Sequence, residues 1–225
     1  MSTFSAYPKL ELVYFDFPGK AEGARLLCYC EGIPLKDTRL TRDEFVSMKS
    51  SGKLKLGQVP ALISDGTQIC QSNAIMRYLG KLTGLYPADN IAAANVDMLL
   101  DEEIDMFMGL SCATYRERFG FGSLDDHTAT KCREDVANEV LPRHLGFLEK
   151  ILESYANDGG SVSGWLANTK GPSIVDFVYA PRLQWLKSGL NNIPTTIIDP
   201  YPRVMAFLER FYAHPKIAEY YASRS

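Results

Sequence analysis

The sequence predicts a small α/β domain followed by an all-helical one. Strand and helix patterns alternate through the first third of the chain, and strand patterns almost vanish from about Ile91 onward. The stretch GLYPADN at 84–90 separates the two regimes, placing the domains at 1–86 and 87–225. At 225 residues the chain is long enough to give each part a core.

In the first domain, LELVYF (10–15) reads as a buried strand, broken by Pro18-Gly19. Helical spacing follows through Ala21, Leu26, Leu27 and Cys30, and ends at Gly32 and Pro34. LKDTRL (35–40) is a weaker strand, and 41–57 is polar with at most a short helix. ALIS-DG-TQIC (61–70) is a hairpin by its Asp65-Gly66 turn. SNAIMRYLGKLTG (72–84) is a helix with Ile75, Met76, Leu79 and Leu82 on one side, closed by Gly84. The second domain opens with a long helix through Val96, Leu99, Leu100, Ile104, Phe107 and Met108. A second long helix, 128–158, carries Pro142 inside it and should kink there. Three shorter helices follow in 172–189 and 202–224. Ser173 and Asp176, at N-cap and N3, form a capping box that serves folding, outside any chemistry.

Composition excludes several function classes. Hydrophobic residues at 46% and charged residues at 23% are ordinary for a soluble globular protein, and a net charge of −3 offers no basic field for nucleic acid or an acidic membrane. No stretch is apolar and long enough to span a bilayer, and the first residues lack the pattern of a secretory signal. Five scattered cysteines without C-x-x-C, and only three histidines, argue against a zinc site and for a reducing, cytoplasmic setting.

Residues 57–80 carry two features that a core does not require. Val59-Pro60 enters the hairpin, where proline starts a strand and a cis bond would turn the backbone toward a ligand. Gln71-Ser72 enters the following helix, with Ser72 at the expected N-cap and Ile75, not Glu or Gln, three residues on. Such a helix start presents free N–H groups and the positive dipole end to a carboxylate or phosphate.

VYF, GQVPALI-DG, QSNAIMRYLG and GLYP together resemble the N-terminal, thioredoxin-like domain of cytosolic glutathione transferases, and SIVDF with FLERFYAHPKIAEYYASR resembles their helical C-terminal domain. The resemblance covers almost the whole chain and is greatest to the tyrosine-type classes, sigma above mu and pi. It implies that Tyr14 hydrogen-bonds the thiol of glutathione, the co-substrate, with no metal required. It further implies that Gln71 and Ser72 hold the γ-glutamyl carboxylate, that Val59 beside cis-Pro60 pairs with the cysteinyl backbone, and that Lys49 and Gln58 meet the glycyl end. Phe45 replaces the usual tryptophan and Lys20 the usual arginine, removing an indole donor and a planar fork.

Asp97, Asp101 and Asp105 lie four residues apart, on one helix face. The resemblance makes this face the interface of a homodimer, with Asp105 reaching the γ-glutamyl ammonium of the other subunit and Asp97 meeting its Arg77. Leu56, where mu and pi proteins carry an aromatic key, implies a more open, sigma-like interface. Phe15, Phe17, Met106, Leu110 and Tyr115 are the candidates for an apolar acceptor-substrate wall. The leading expectation is conjugation of glutathione to small hydrophobic electrophiles. Alternatives are a glutathione-dependent prostaglandin-type isomerase or peroxidase, and a non-catalytic ligand-binding or crystallin-like homologue. A thiol-disulfide oxidoreductase is disfavoured, because no cysteine lies between Tyr14 and Lys20.

Overall fold

A computed structural model describes residues 7–157 and 163–224, and the chain forms two compact units that divide after Ala88. The described residues from Ala213 onward group with the first unit.

The first unit is built on a four-stranded sheet in the order β2-β1-β3-β4. Central β1 (Leu10–Phe15) is parallel to β2 (Leu35–Leu40) and antiparallel to β3 (Ala61–Ser64), which pairs in turn with β4 (Thr67–Cys70). Four of the six β1 side chains are buried, as an apolar run in the middle of a sheet requires, whereas β2, at the edge, is largely half-exposed. Asp65 and Gly66 both have positive φ, the conformation a two-residue hairpin turn demands. The Asp65 carboxylate also accepts from the Lys9 N–H, tying that turn to the entry of β1.

Helix α1 (Glu22–Cys30) follows a short 3-10 turn at Gly19–Ala21, and α3 (Ser72–Thr83), which buries Ile75, Met76 and Leu79, packs beside it. Gly84, at φ +77, ends α3 as expected. Between them α2 (Arg42–Ser50) has no buried residue; a Thr41–Glu44 capping box holds its first turn. The last helix of the chain, α9 (Pro215–Ala222), lies against α1. Lys216 donates to the Cys30 carbonyl at the α1 C-terminus, where orphan carbonyls and the negative dipole end favour a cation.

The second unit is helical. Its longest element, α4 (Asn90–Thr114), buries Val96, Leu99, Leu100, Glu103, Met106, Phe107 and Leu110, the stripe that 3.6-residue periodicity projects. The expected second helix is α5 (Asp126–Asp135) and α6 (Leu141–Asn157), joined by a π-helical turn at Val136–Val140. The Leu141 N–H reaches back five residues to Val136, and Pro142 explains why. Proline has no N–H to offer, and its ring crowds the carbonyl four residues earlier, so the turn before it widens. Asp158, the expected end of this helix, lies outside the described residues. Helix α7 (Ile174–Leu186) runs through the core with Val175, Phe177, Tyr179, Ala180 and Leu183 buried, and α8 (Pro202–Ala213) adds Val204, Phe207, Leu208 and Phe211. Among the described residues no helix is long and apolar enough to cross a membrane.

Candidate active site

Strand register brings the sequence candidates together. Val13 pairs with Ala61, and Ala61 with Cys70. One residue beyond that row, at the same end of the sheet, stand Tyr14 on β1, Pro60 before β3 and Gln71 after β4. The Val59-Pro60 bond is cis.

Tyr14 is buried, with Phe15 and Phe17 edge-on to its ring at 5.5 and 5.3 Å. Its hydroxyl accepts from the Lys20 N–H at 3.3 Å, so the backbone of the Gly19–Ala21 turn reaches the phenol while the Lys20 residue is otherwise exposed. A Cβ on Gly19 would stand 2.5 Å from the Tyr14 hydroxyl oxygen, so glycine is needed there for space as well as for φ +46. Phe45, half-buried on α2, packs against Phe15 at 5.2 Å, and Phe15 stacks on exposed Phe17 at 5.6 Å. Phe45 is therefore one member of an aromatic row leading away from Tyr14.

The start of α3 departs from expectation. Its N-cap is Gln71, whose carbonyl accepts the first helical bond from Ile75, and Ser72 is already the first helical residue. Gln71 holds φ +72, and no side chain caps the helix among the described residues. Serine at the N-cap would have needed extended backbone; the chain instead turns at Gln71, one residue earlier. Lys49, on the last turn of α2, lays its stem across Gly57, with side-chain carbons about 3.5 Å from where a Cβ would sit. Gln58 and Val59 are half-buried just after it and Pro60 is buried.

In the helical unit Asp101 and Asp105 are exposed and Asp97 is partly so, on the face of α4 opposite its buried stripe. Tyr115, the C-cap of α4, is exposed, whereas Met106 and Leu110 are packed inside that unit. Arg77 is half-buried on α3. Leu56 is exposed.

Burial pushes the Cys28 thiol up to about 12 and the Cys30 thiol up to about 11, so neither is a thiolate at neutral pH. All five cysteines are free, and among the described residues no cluster of His, Cys, Asp or Glu could hold a metal ion. Sequence reasoning missed Arg25, which is buried beneath Tyr14 with its guanidinium carbon 5.8 Å from the ring centroid. The signal was available: an arginine between Ala24 and Leu26, in a helix otherwise apolar at its centre, must be paired if buried.

Residues 10–81 match the family model described as glutathione S-transferase, N-terminal domain, and 118–224 that described as glutathione S-transferase, C-terminal domain. Glutathione S-transferase 1 of Ascaris suum is 37% identical over 145 residues, 64% of this chain and 68% of the relative. The chain belongs to the glutathione S-transferase family. As a glutathione S-transferase it is also similar to the S-crystallin SL11 of Nototodarus sloanii, at 31% identity over 97% of this chain and 98% of the other. Among solved structures, prostaglandin synthase D of Nilaparvata lugens superposes with a TM-score of 0.80 at 29% identity, covering 97% of this chain and 99% of that one. A monomeric glutathione S-transferase from Necator americanus gives 0.72 at 26%, covering 96% and 98%. This glutathione S-transferase therefore shares its two-part fold with proteins named for different roles, and its own chemistry has to be argued from its site.

Proposed function

We propose that the protein conjugates glutathione to small hydrophobic electrophiles, with Tyr14 donating a hydrogen bond to the thiolate. The observation that carries this reading is the shared row of Tyr14, Pro60 and Gln71 at one end of the sheet, with the uncapped start of α3 beside it. A free thiol titrates near 8.5, so only a small fraction is nucleophilic at neutral pH. A charge-assisted bond from the phenol, worth about 1.5–3 kcal/mol, lowers that value by one to two units.

We assign Gln71 and Ser72 to the γ-glutamyl carboxylate, where α3 N–H groups and its positive end favour an anion. The Val59 backbone beside Pro60 takes the cysteinyl part, and Lys49 and Gln58 the glycyl carboxylate. Lys20 contributes its backbone N–H through Tyr14, and Phe45 a ring edge in place of an indole donor. The first domain is thus the glutathione-binding one, and the helical domain supplies acceptor residues. Of the acceptor candidates, Phe15 and Phe17 of the first unit are solvent-accessible and suit an apolar electrophile, as does exposed Tyr115 of the helical unit, whereas Met106 and Leu110 are buried within that unit. The working form is a cytoplasmic homodimer in which Asp105 of a second copy reaches the γ-glutamyl ammonium, with Arg77, Asp97 and Asp101 at the interface.

A second reading, prostaglandin-type isomerisation with glutathione as co-substrate, is favoured by the likeness to a protein named prostaglandin synthase D. Both readings require an activated thiolate, and the crystallin-like alternative does not. The test is a pH titration of bound glutathione followed by thiolate absorbance, in wild type and in Tyr14→Phe. We expect a thiol pKa lowered by about one to two units in wild type and restored in the variant. Binding without lowering would leave a protein that holds glutathione without activating it. Turnover with an aryl halide then separates transfer from isomerisation, since an isomerase alone leaves the halide intact.

A further inference from the structure

We propose that Arg25 is a positioning residue for Tyr14: its buried guanidinium fixes the loop that carries a backbone N–H onto the Tyr14 hydroxyl. The proposal rests on the assignment of Tyr14 as the thiol-activating residue. Arg25 is 2% exposed, and each of its three guanidinium nitrogens donates a hydrogen bond. Nε–H donates to both oxygens of Asp37, each at 3.1 Å. One Nη donates to the carbonyls of Phe17 and Pro18, at 2.9 and 3.3 Å, and the other to the carbonyl of Phe15 at 3.2 Å. Glu22, one helical turn earlier, stands 3.6 Å from the guanidinium.

The three carbonyls belong to the segment immediately after Tyr14, and the turn they hold continues into Gly19 and Lys20. At Gly19 the left-handed φ of +46 brings the Lys20 N–H to the Tyr14 hydroxyl oxygen. The Asp37 carboxylate that anchors Arg25 also binds Arg39, and Arg39 pairs with Asp16 in the same loop, so the segment is held from both sides. Two consequences follow for the phenol. With one lone pair occupied by the Lys20 N–H, the hydroxyl rotor is restricted. A hydroxyl that accepts a hydrogen bond also becomes a stronger donor, by about 10–30% per bond along a chain. Only a planar, multi-donor side chain can hold the loop in this way; a lysine at 25 keeps the charge and loses the fork.

The experiment is a kinetic cycle on the intact chain with Arg25→Lys, Tyr14→Phe and the double variant, using glutathione and an aryl halide. Arg25→Lys should lower kcat about tenfold or more while the KM for glutathione moves less than about twofold, because the tripeptide subsites are untouched. The thiolate absorbance of bound glutathione at neutral pH should fall in parallel. If Arg25 acts through Tyr14, the double variant is no slower than Tyr14→Phe alone. Gly19→Ala, which removes no Arg25 partner but puts a methyl against the Tyr14 hydroxyl and the Phe17 ring, should show the same split and the same non-additivity; it carries the test if Arg25→Lys does not fold. Multiplying losses in the double variant, or wild-type kcat in Arg25→Lys or Gly19→Ala beside an impaired Tyr14→Phe, would overturn the positioning role. Wild-type turnover in Tyr14→Phe itself would instead remove the assignment on which the role depends.

Discussion

Gln71 holds a backbone conformation that residues with a Cβ rarely adopt, at the point where β4 turns into α3. Strain of this kind costs on the order of 1–3 kcal/mol, persists only where the surrounding structure imposes it, and clusters at ligand-binding and active sites. Here it sets the start of α3 at the end of the sheet where Tyr14 stands. Stability and binding should therefore separate at this residue. Gln71→Gly relieves the φ while giving up the amide, so the free protein should unfold at equal or higher urea, by up to about 1 kcal/mol after the entropic cost of glycine. Glutathione binding should weaken by about tenfold with loss of the amide hydrogen bonds. A variant that is both less stable and unchanged in affinity would show that Gln71 serves the fold alone. The residue types of this site are legible in the sequence, yet this conformation is not. Neither neighbouring residue is glycine or proline, and a serine next door is the ordinary N-cap choice. Arg25 was hidden for a different reason: its partners are main-chain carbonyls of Phe15, Phe17 and Pro18 and the side chain of Asp37, none of which forms a pattern with it along the chain.

Elements were legible wherever hydrophobic period and punctuation agreed. Helix α4 announces itself through Val96, Leu99, Leu100 and Phe107, and the hairpin through Asp65-Gly66. The short α2 is less visible because it buries nothing, though Thr41 and Glu44 spell its capping box. Pro142 signalled a disturbance whose form, a π-turn, depends on how the surrounding helices accept the wider turn. At the start of α7 the Ser173–Asp176 pair reads from sequence as a capping box, and the structure adds that Asp176 is fully buried and also accepts from the Leu166 N–H at 2.9 Å. The Ser173 N–H and hydroxyl donate to its other oxygen at 2.7 and 3.0 Å. Burial nevertheless pushes its carboxyl up to about 6, outweighing these bonds. The sign follows from linkage. A carboxyl whose folded pKa lies above its unfolded value binds more protons in the fold, so its contribution rises as pH falls from above 6 toward 4. Compared with the non-titrating Asp176→Asn, wild type should gain about 1 kcal/mol between pH 7 and pH 5, read from paired urea midpoints. A difference independent of pH would mean that Asp176 stays ionised throughout that range. Asp176→Ala removes acceptors from three buried donors and should cost more than the asparagine variant at either pH.

For the whole molecule, the sequence shows where α/β gives way to helix, but it does not show that the final helix returns to the first unit. Helix α9 has the same amphipathic spacing as its neighbours, and its place is decided by contacts with α1 such as the Tyr29–Tyr220 ring pair at 5.2 Å and the Lys216 bond to Cys30. The same limit applies to the oligomer, because a helix face states its chemistry without naming its partner. On α4, Met98, Asp101, Asp105 and Met108 recur at spacings of three and four, so acidic and apolar side chains share one exposed strip. Like charges at this spacing repel by a few tenths of a kcal/mol, roughly, and a solvated helix has no use for exposed methionines on either side of them. A second copy related by a two-fold axis would cover the methionines and bring each Asp105 toward the other copy's glutathione. In that arrangement Asp105→Ala leaves a dimer by sedimentation velocity while glutathione affinity drops about tenfold, since the lost bond is charge-assisted and made across the interface. In the same arrangement Met98→Lys should act on the other quantity, shifting the equilibrium from dimer toward monomer and weakening glutathione binding only as the monomer accumulates. The monomeric relative from Necator americanus sets the contrary result: a chain that sediments as a monomer at every concentration, with unchanged affinity in Asp105→Ala, would place the whole glutathione site within one copy.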